Sequence, residues 1–91
     1  MNQRIELNKD IVIKVIEDEA VIVFVENAMI MSLNKTGTFI IEYLRKSTLP
    51  VSFDQLLKEI TKEFNVLEDC ASADLKDFME KLRKNNLIYY N

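Results

Sequence analysis

The side chains best suited to covalent or acid–base chemistry are one thiol, Cys70, and the neighbouring carboxylates Glu68, Asp69, Asp74 and Asp77. A thiolate can act as a nucleophile or hold a soft metal, and a close carboxylate pair can divide acid and base roles. The rest of the chain withholds the partners both chemistries need. No histidine is present to act as base or ligand, a single cysteine forms no internal disulfide, and one glycine, Gly37, builds no phosphate-cradling loop. Cys70 reads as a small residue near a helix start, and the carboxylates, set among lysines, as solvated charge. The expectation is a non-enzymatic protein with no cofactor, no catalytic residue and no metal ligand.

Recognition through the backbone is the remaining chemistry. Ala28, Met29, Ile30, Met31 and Ser32 form a run without charge, proline or glycine, and a strand of that kind at a sheet edge offers its N–H and C=O groups to another chain. Alternation puts Met29, Met31 and Leu33 on one face and Ala28, Ile30 and Ser32 on the other. A third helix is expected over about Ser72–Lys84 with Leu75, Phe78 and Leu82 facing inward. At about 100° per residue its flanks then carry Ser72, Lys76, Met79 and Arg83 on one side, and Asp74, Lys81 and Asn85 on the other. The first flank is basic with an apolar centre. Beside the unprotected strand it would complete a groove suited to an extended, partly acidic peptide, with the methionines adapting to varied side chains.

The elements that position these groups follow from pattern. Ile11–Ile16 is β-branched except for Lys14 and reads as a strand, Glu17–Glu19 as a turn, and Val21–Val25 as a central strand. Glu26-Asn27 supplies the next tight connection, with Asn27 suited to positive φ. The first strand is blunted by Lys14, Lys9, Asp10 and Glu17, and the third is not. Asn34 caps a helix over Lys35–Lys46 with Ile40, Ile41 and Leu44 on its apolar stripe and Phe39 and Tyr43 beside it. Ser47–Val51 reads as a short linker in which Pro50 forbids continuation of the helix. Ser52 and Gln55 make a capping box, Val51 and Leu56 a hydrophobic staple, and Phe53, Leu56, Leu57, Ile60 and Phe64 the face of a second helix. Asn65–Ala71 reads as a connection, Asn85-Asn86 as the end of the third helix, and Leu87–Tyr90 as an apolar tail folding back on the core.

Length and composition frame the same picture. The chain has 91 residues, 48% of them apolar and 30% charged, which suits a single α+β domain over 1–91. No run approaches the roughly 20 apolar residues of a membrane span, and no signal peptide opens the sequence, so a cytoplasmic protein without a membrane partner is expected. Net charge is −3, and residues 1–34 hold three basic and six acidic groups against nine of each in 35–91. That acidity disfavours a phosphate-gripping strand half.

These signatures together resemble a known family. Leu33-Asn34-Lys35-Thr36-Gly37 after a strand pair, an aromatic (Phe64) closing a second helix, Asp74, Leu75, Phe78 and Leu82 in a third, and the closing pair Leu87-Ile88 are similar to the PqqD-like family, also called RiPP recognition elements. The likeness spans about residues 10–90, and its motifs are loose apolar signatures. Asn86 stands where many relatives carry glycine. The resemblance implies a winged helix-turn-helix with an N-terminal three-stranded antiparallel sheet followed by three helices. It also implies a non-catalytic role: binding the leader of a ribosomally made precursor peptide as a strand added to the third strand, in the cleft with the third helix. The bound peptide would be presented to a modifying enzyme such as a radical SAM protein, a peptidase or a cyclase. Two rivals stand beside it. One is a winged-helix DNA-binding regulator, for which Cys70–Asn86 offers only four basic against three acidic groups. The other is a structural subunit whose third strands pair in a dimer, as opposed to a monomer.

Overall fold

The computed structural model describes residues 4–26 and 28–90. In chain order the elements are β1 (Arg4–Leu7), β2 (Ile11–Ile16), β3 (Glu19–Phe24), β4 (Met29–Ser32), α1 (Lys35–Lys46), β5 (Val51–Ser52), α2 (Phe53–Phe64), α3 (Glu68–Lys84) and β6 (Ile88–Tyr90). Alternation places the anticipated meander: β2, β3 and β4 pair antiparallel in that order, with Val12, Val23 and Ile30 in one row and Lys14, Val21 and Ser32 in the next. Ala20, Ile22, Phe24 and Met31 turn inward and are buried. The first hairpin closes more tightly than the sequence suggests, because Ile16 pairs with Glu19 across a loop of Glu17 and Asp18 only. Both have positive φ, 51° and 67°, as a two-residue hairpin loop matching the strand twist requires. Ala28, at φ 51°, precedes β4 and is not part of it. Asn27, expected to take positive φ, lies outside the described residues.

The first two helices start at their capping signals. Asn34 Oδ1 accepts from the Gly37 N–H at 2.9 Å and opens α1 over the expected range. Ser52 Oγ accepts from the Gln55 N–H at 3.1 Å, while the Gln55 side chain, instead of returning to Ser52, donates to the Tyr43 hydroxyl at 2.9 Å and ties α2 to α1. α3 starts at Glu68, earlier than the expected Ser72, so the connection shrinks to 65–67. Two observations account for this: Asn65 ends α2 in the left-handed region, and Glu68 and Asp69 lie in the first turn of α3, where negative charge complements the helix dipole.

A second sheet, β5–β1–β6, was not legible beforehand. Ile5 is buried between Val51 and Tyr90, and Leu7 pairs with Ile88, so the tail does fold back. Asn8, itself buried, locks this junction. Its N–H donates to Leu87 C=O at 2.8 Å, its Nδ2 to Asn86 C=O at 2.9 Å, and its Oδ1 accepts from the Asp10 N–H at 2.8 Å. Asn86 takes φ 61°, a left-handed conformation that glycine adopts without steric cost and asparagine tolerates. Both sheets and all three helices share one core, centred on Ile22, Ile41, Leu56, Leu75, Leu82 and Leu87. Truncating any of these to alanine costs about 2–5 kcal/mol. Among the described residues, no helix is long and apolar enough to cross a membrane.

Candidate functional site

Hydrogen-bond phase determines what β4 can offer. Leu33 N–H donates to Ala20 C=O at 2.9 Å, so that pair is of the hydrogen-bonded kind. Antiparallel pairing alternates, so Met31 and Met29 also direct their backbone groups at β3, and Ile30 and Ser32 direct theirs outward. No strand pairs with that outer side among the described residues. Ile30 is 72% exposed, Ser32 is exposed and Met29 half-buried. The side chains alternate as expected, with Met31 and Leu33 inside and Ile30 and Ser32 outside.

At the Ser32 end, the edge opens onto a cleft of about 410 Å³. Its floor comes from Leu33 and the start of α1 (Gly37 and Ile40), from Ile60 and Phe64 of α2, and from Leu75 of α3. Phe78 forms a wall, with Asp74 and Lys81 at the rim. Gly37 permits this closeness, because a Cβ there would lie 3.3 Å from the Phe78 ring and 3.3 Å from Leu33 Cβ. Phe39 packs edge-on against Phe64, ring centroids 5.4 Å apart, and supports the α2 side.

The wall is therefore the opposite flank of α3 from the one the sequence favoured. The buried stripe runs Ala71, Leu75, Met79, Leu82, and Phe78 is only half-buried, so α3 is rotated from the expected phase. Met79 is 1% exposed and is core, not groove lining. Ser72, Lys76 and Arg83 lie across the stripe from Asp74, Phe78 and Lys81, and none of the three lines the cleft. Arg83 instead donates from Nε to Glu80 at 3.0 Å and pairs with it through its second nitrogen. That hydrogen bond holds the Glu80 carboxyl below its ordinary value and raises Arg83. Tyr90 of β6 is raised by burial first and by the Glu80 charge second. Of the residues singled out from sequence, the structure brings Ser32 to the cleft beside the Ile30 edge and leaves Ser72 and the basic pair Lys76 and Arg83 outside. Sequence reasoning missed the wall formed by Asp74, Phe78 and Lys81. Its signal was the register of Met79 with Leu75 and Leu82, which the larger Phe78 masked.

The family described as "Coenzyme PQQ synthesis protein D (PqqD)" matches residues 19–88 of the chain. No curated protein matches it at a significant level. Among solved structures, one described as "TbiB1 in Complex with the TbiA(beta) Leader Peptide" is similar, with a TM-score of 0.80 and 22% identity over 91% of this chain and 93% of that one. The likeness extends the α+β arrangement to a second molecule.

Proposed function

The chain belongs to the PqqD family, and on that premise we propose that it binds the leader segment of a ribosomally synthesised precursor peptide and presents it to a modifying enzyme. The role is non-catalytic and cytoplasmic, and the enzyme is of the radical SAM, peptidase or cyclase kind. The single observation that carries the reading is the outward backbone of Ile30 and Ser32 on an uncharged edge strand that ends at an apolar cleft. Main-chain pairing along 29–32 supplies affinity, and one large apolar leader side chain fills the cleft against Phe78. Lys81, at the rim, meets an acidic leader residue, the part first assigned to Lys76 and Arg83. A leader-bound structure being known for a protein of the same fold supports the choice of ligand.

The test is to read the adjacent genes for a short precursor peptide and to titrate the chain with its leader, followed by calorimetry and by backbone NMR. Saturable binding with shifts at Ile30, Ser32 and Phe78 is expected. Absence of binding, or salt-sensitive binding to pooled DNA in its place, overturns the reading. A dimer sealed through paired β4 edges would bind leader only on dissociating, which sedimentation with and without peptide reveals.

A further inference from the structure

We propose that the free edge of β2 is a second strand-addition site, and that it takes an acidic segment, punctuated by apolar residues, from a partner protein while β4 stays available. The site rests on its own geometry, whether or not β4 takes a leader. In β3, Ala20, Ile22 and Phe24 direct their backbone at β4, so Glu19, Val21 and Val23 serve β2. The intervening β2 residues Ile11, Ile13 and Val15 then point their N–H and C=O groups outward. Among the described residues, no backbone bond outside the ladder engages them. Lys14, expected from the sequence to blunt this strand, has its backbone in the ladder with Val21, so the outward positions are the uncharged Ile11, Ile13 and Val15; with six residues against four, β2 presents a longer free edge than β4.

Beside this edge lies a groove of about 590 Å³, bounded by β1, the β1–β2 turn, the last turn of α1 and the loop 47–50. Ile11, Ile13 and Leu44 give it an apolar floor. The loop forms a crest, with Leu49 76% exposed upon it, and a second depression of about 600 Å³ lies behind. Charge identifies the occupant. Lys9 and Arg45 line the groove and Arg4 and Lys46 the depression, against one lining carboxylate, Glu6. Arg45 is paired with Glu42, which leaves Arg4, Lys9 and Lys46 as the cations to be matched. In a chain of net charge −3 the groove wall carries an excess of positive charge beside an apolar floor and an open strand edge, while the carboxylates Asp10, Glu17 and Asp18 sit at the two ends of the strand. An acidic extended segment satisfies all three: its backbone pairs with Ile11 and Ile13, alternate apolar side chains enter the groove, and its carboxylates meet the lysines. The groove and the β4 cleft share no lining residue and sit at opposite ends of α1. Both can be filled at once.

The experiment is an NMR titration of the isotope-labelled full chain with a short capped synthetic peptide alternating Glu with Leu. Shifts at Lys9, Ile11, Ile13, Thr48 and Leu49 are expected, with Ser32 and Phe78 unmoved. Lys9→Glu should weaken that binding about fivefold without changing thermal unfolding, since this side chain is exposed and lies outside the helices. The proposal is overturned if the peptide causes no shifts, if a Lys-Leu peptide causes the same shifts, or if they appear at β4. It is equally overturned if a single-stranded oligonucleotide binds the groove more tightly, or if β2 signals already depend on protein concentration, which would mean that a second copy is the occupant. Loss of leader binding at β4 leaves the β2 signals in place, so failure of one reading is distinguishable from failure of the other.

Discussion

Ile30→Pro tests the direction in which β4 offers its backbone. Because Leu33 is bonded to Ala20, the phase of the pairing turns the Ile30 N–H away from β3, and proline at 30 removes no ladder bond. A net hydrogen bond to the leader is worth about 0.5–1.5 kcal/mol, and a leader carbonyl left buried without a donor costs about 1–3 kcal/mol. Affinity for the leader should therefore fall by about 1–3 kcal/mol, which is a factor of about five to 150. Fluorescence anisotropy of a labelled leader reads the change, and circular dichroism verifies that the variant is folded. Two companions separate the causes. Ile30→Ala trims a side chain on the outer, exposed face and should change affinity by less than about 0.5 kcal/mol, whereas Met31→Pro removes a β3 ladder donor inside the core and should unfold the sheet. A folded Ile30→Pro variant that binds leader as tightly as the parent would refute strand addition at this edge.

Other predictions concern the rotated third helix. Met79→Ala, at a core position, should lower unfolding free energy by about 2–5 kcal/mol in urea denaturation, while a groove position would show little loss. Lys81→Glu should weaken leader binding by up to about 1 kcal/mol, in a salt-dependent manner, and Lys76→Glu should leave calorimetric affinity unchanged. Tyr90 is raised above its ordinary 10.0 by burial, so the folded state favours its neutral form. Its contribution to stability is complete below pH 10 and is lost as pH rises from there through the folded value, which thermal unfolding at alkaline pH with Tyr90→Phe as control will reveal.

Much of the fold could be read from local chemistry. Asn34 and Ser52 started their helices where a side-chain oxygen could accept from the third residue on, and β-branched runs gave β2 and β3. The β4 edge was legible too, since an uncharged strand without proline or glycine is visible without coordinates, whereas the open side of β2 was masked by Lys14 and the flanking charges. What stayed hidden depended on remote partners. Arg4–Leu7 is too short and too polar to announce a strand, and it becomes one because Val51 and Ile88–Tyr90 flank it. The phase of α3 was misjudged for a related reason. Phe78 and Met79 are adjacent and both apolar, and Gly37, which lets the Phe78 ring stay at the cleft, lies on another helix. The groove wall was thus settled by a contact between helices that periodicity within one helix does not contain.

The β1–β6 junction bears on the order of folding. β2, β3 and β4 join through short turns, whereas the Asn8 side chain closes on a carbonyl 78 residues away. Loop-closure entropy makes that contact about 2–3 kcal/mol more expensive to nucleate than a hairpin. The order expected from this is that the meander and the helices packed on it form first, with β1 added afterwards. Ile5→Val should accelerate unfolding with little effect on the folding rate, while Ile22→Val should slow folding. The open β4 edge would then be in place before β1 and β6 have met.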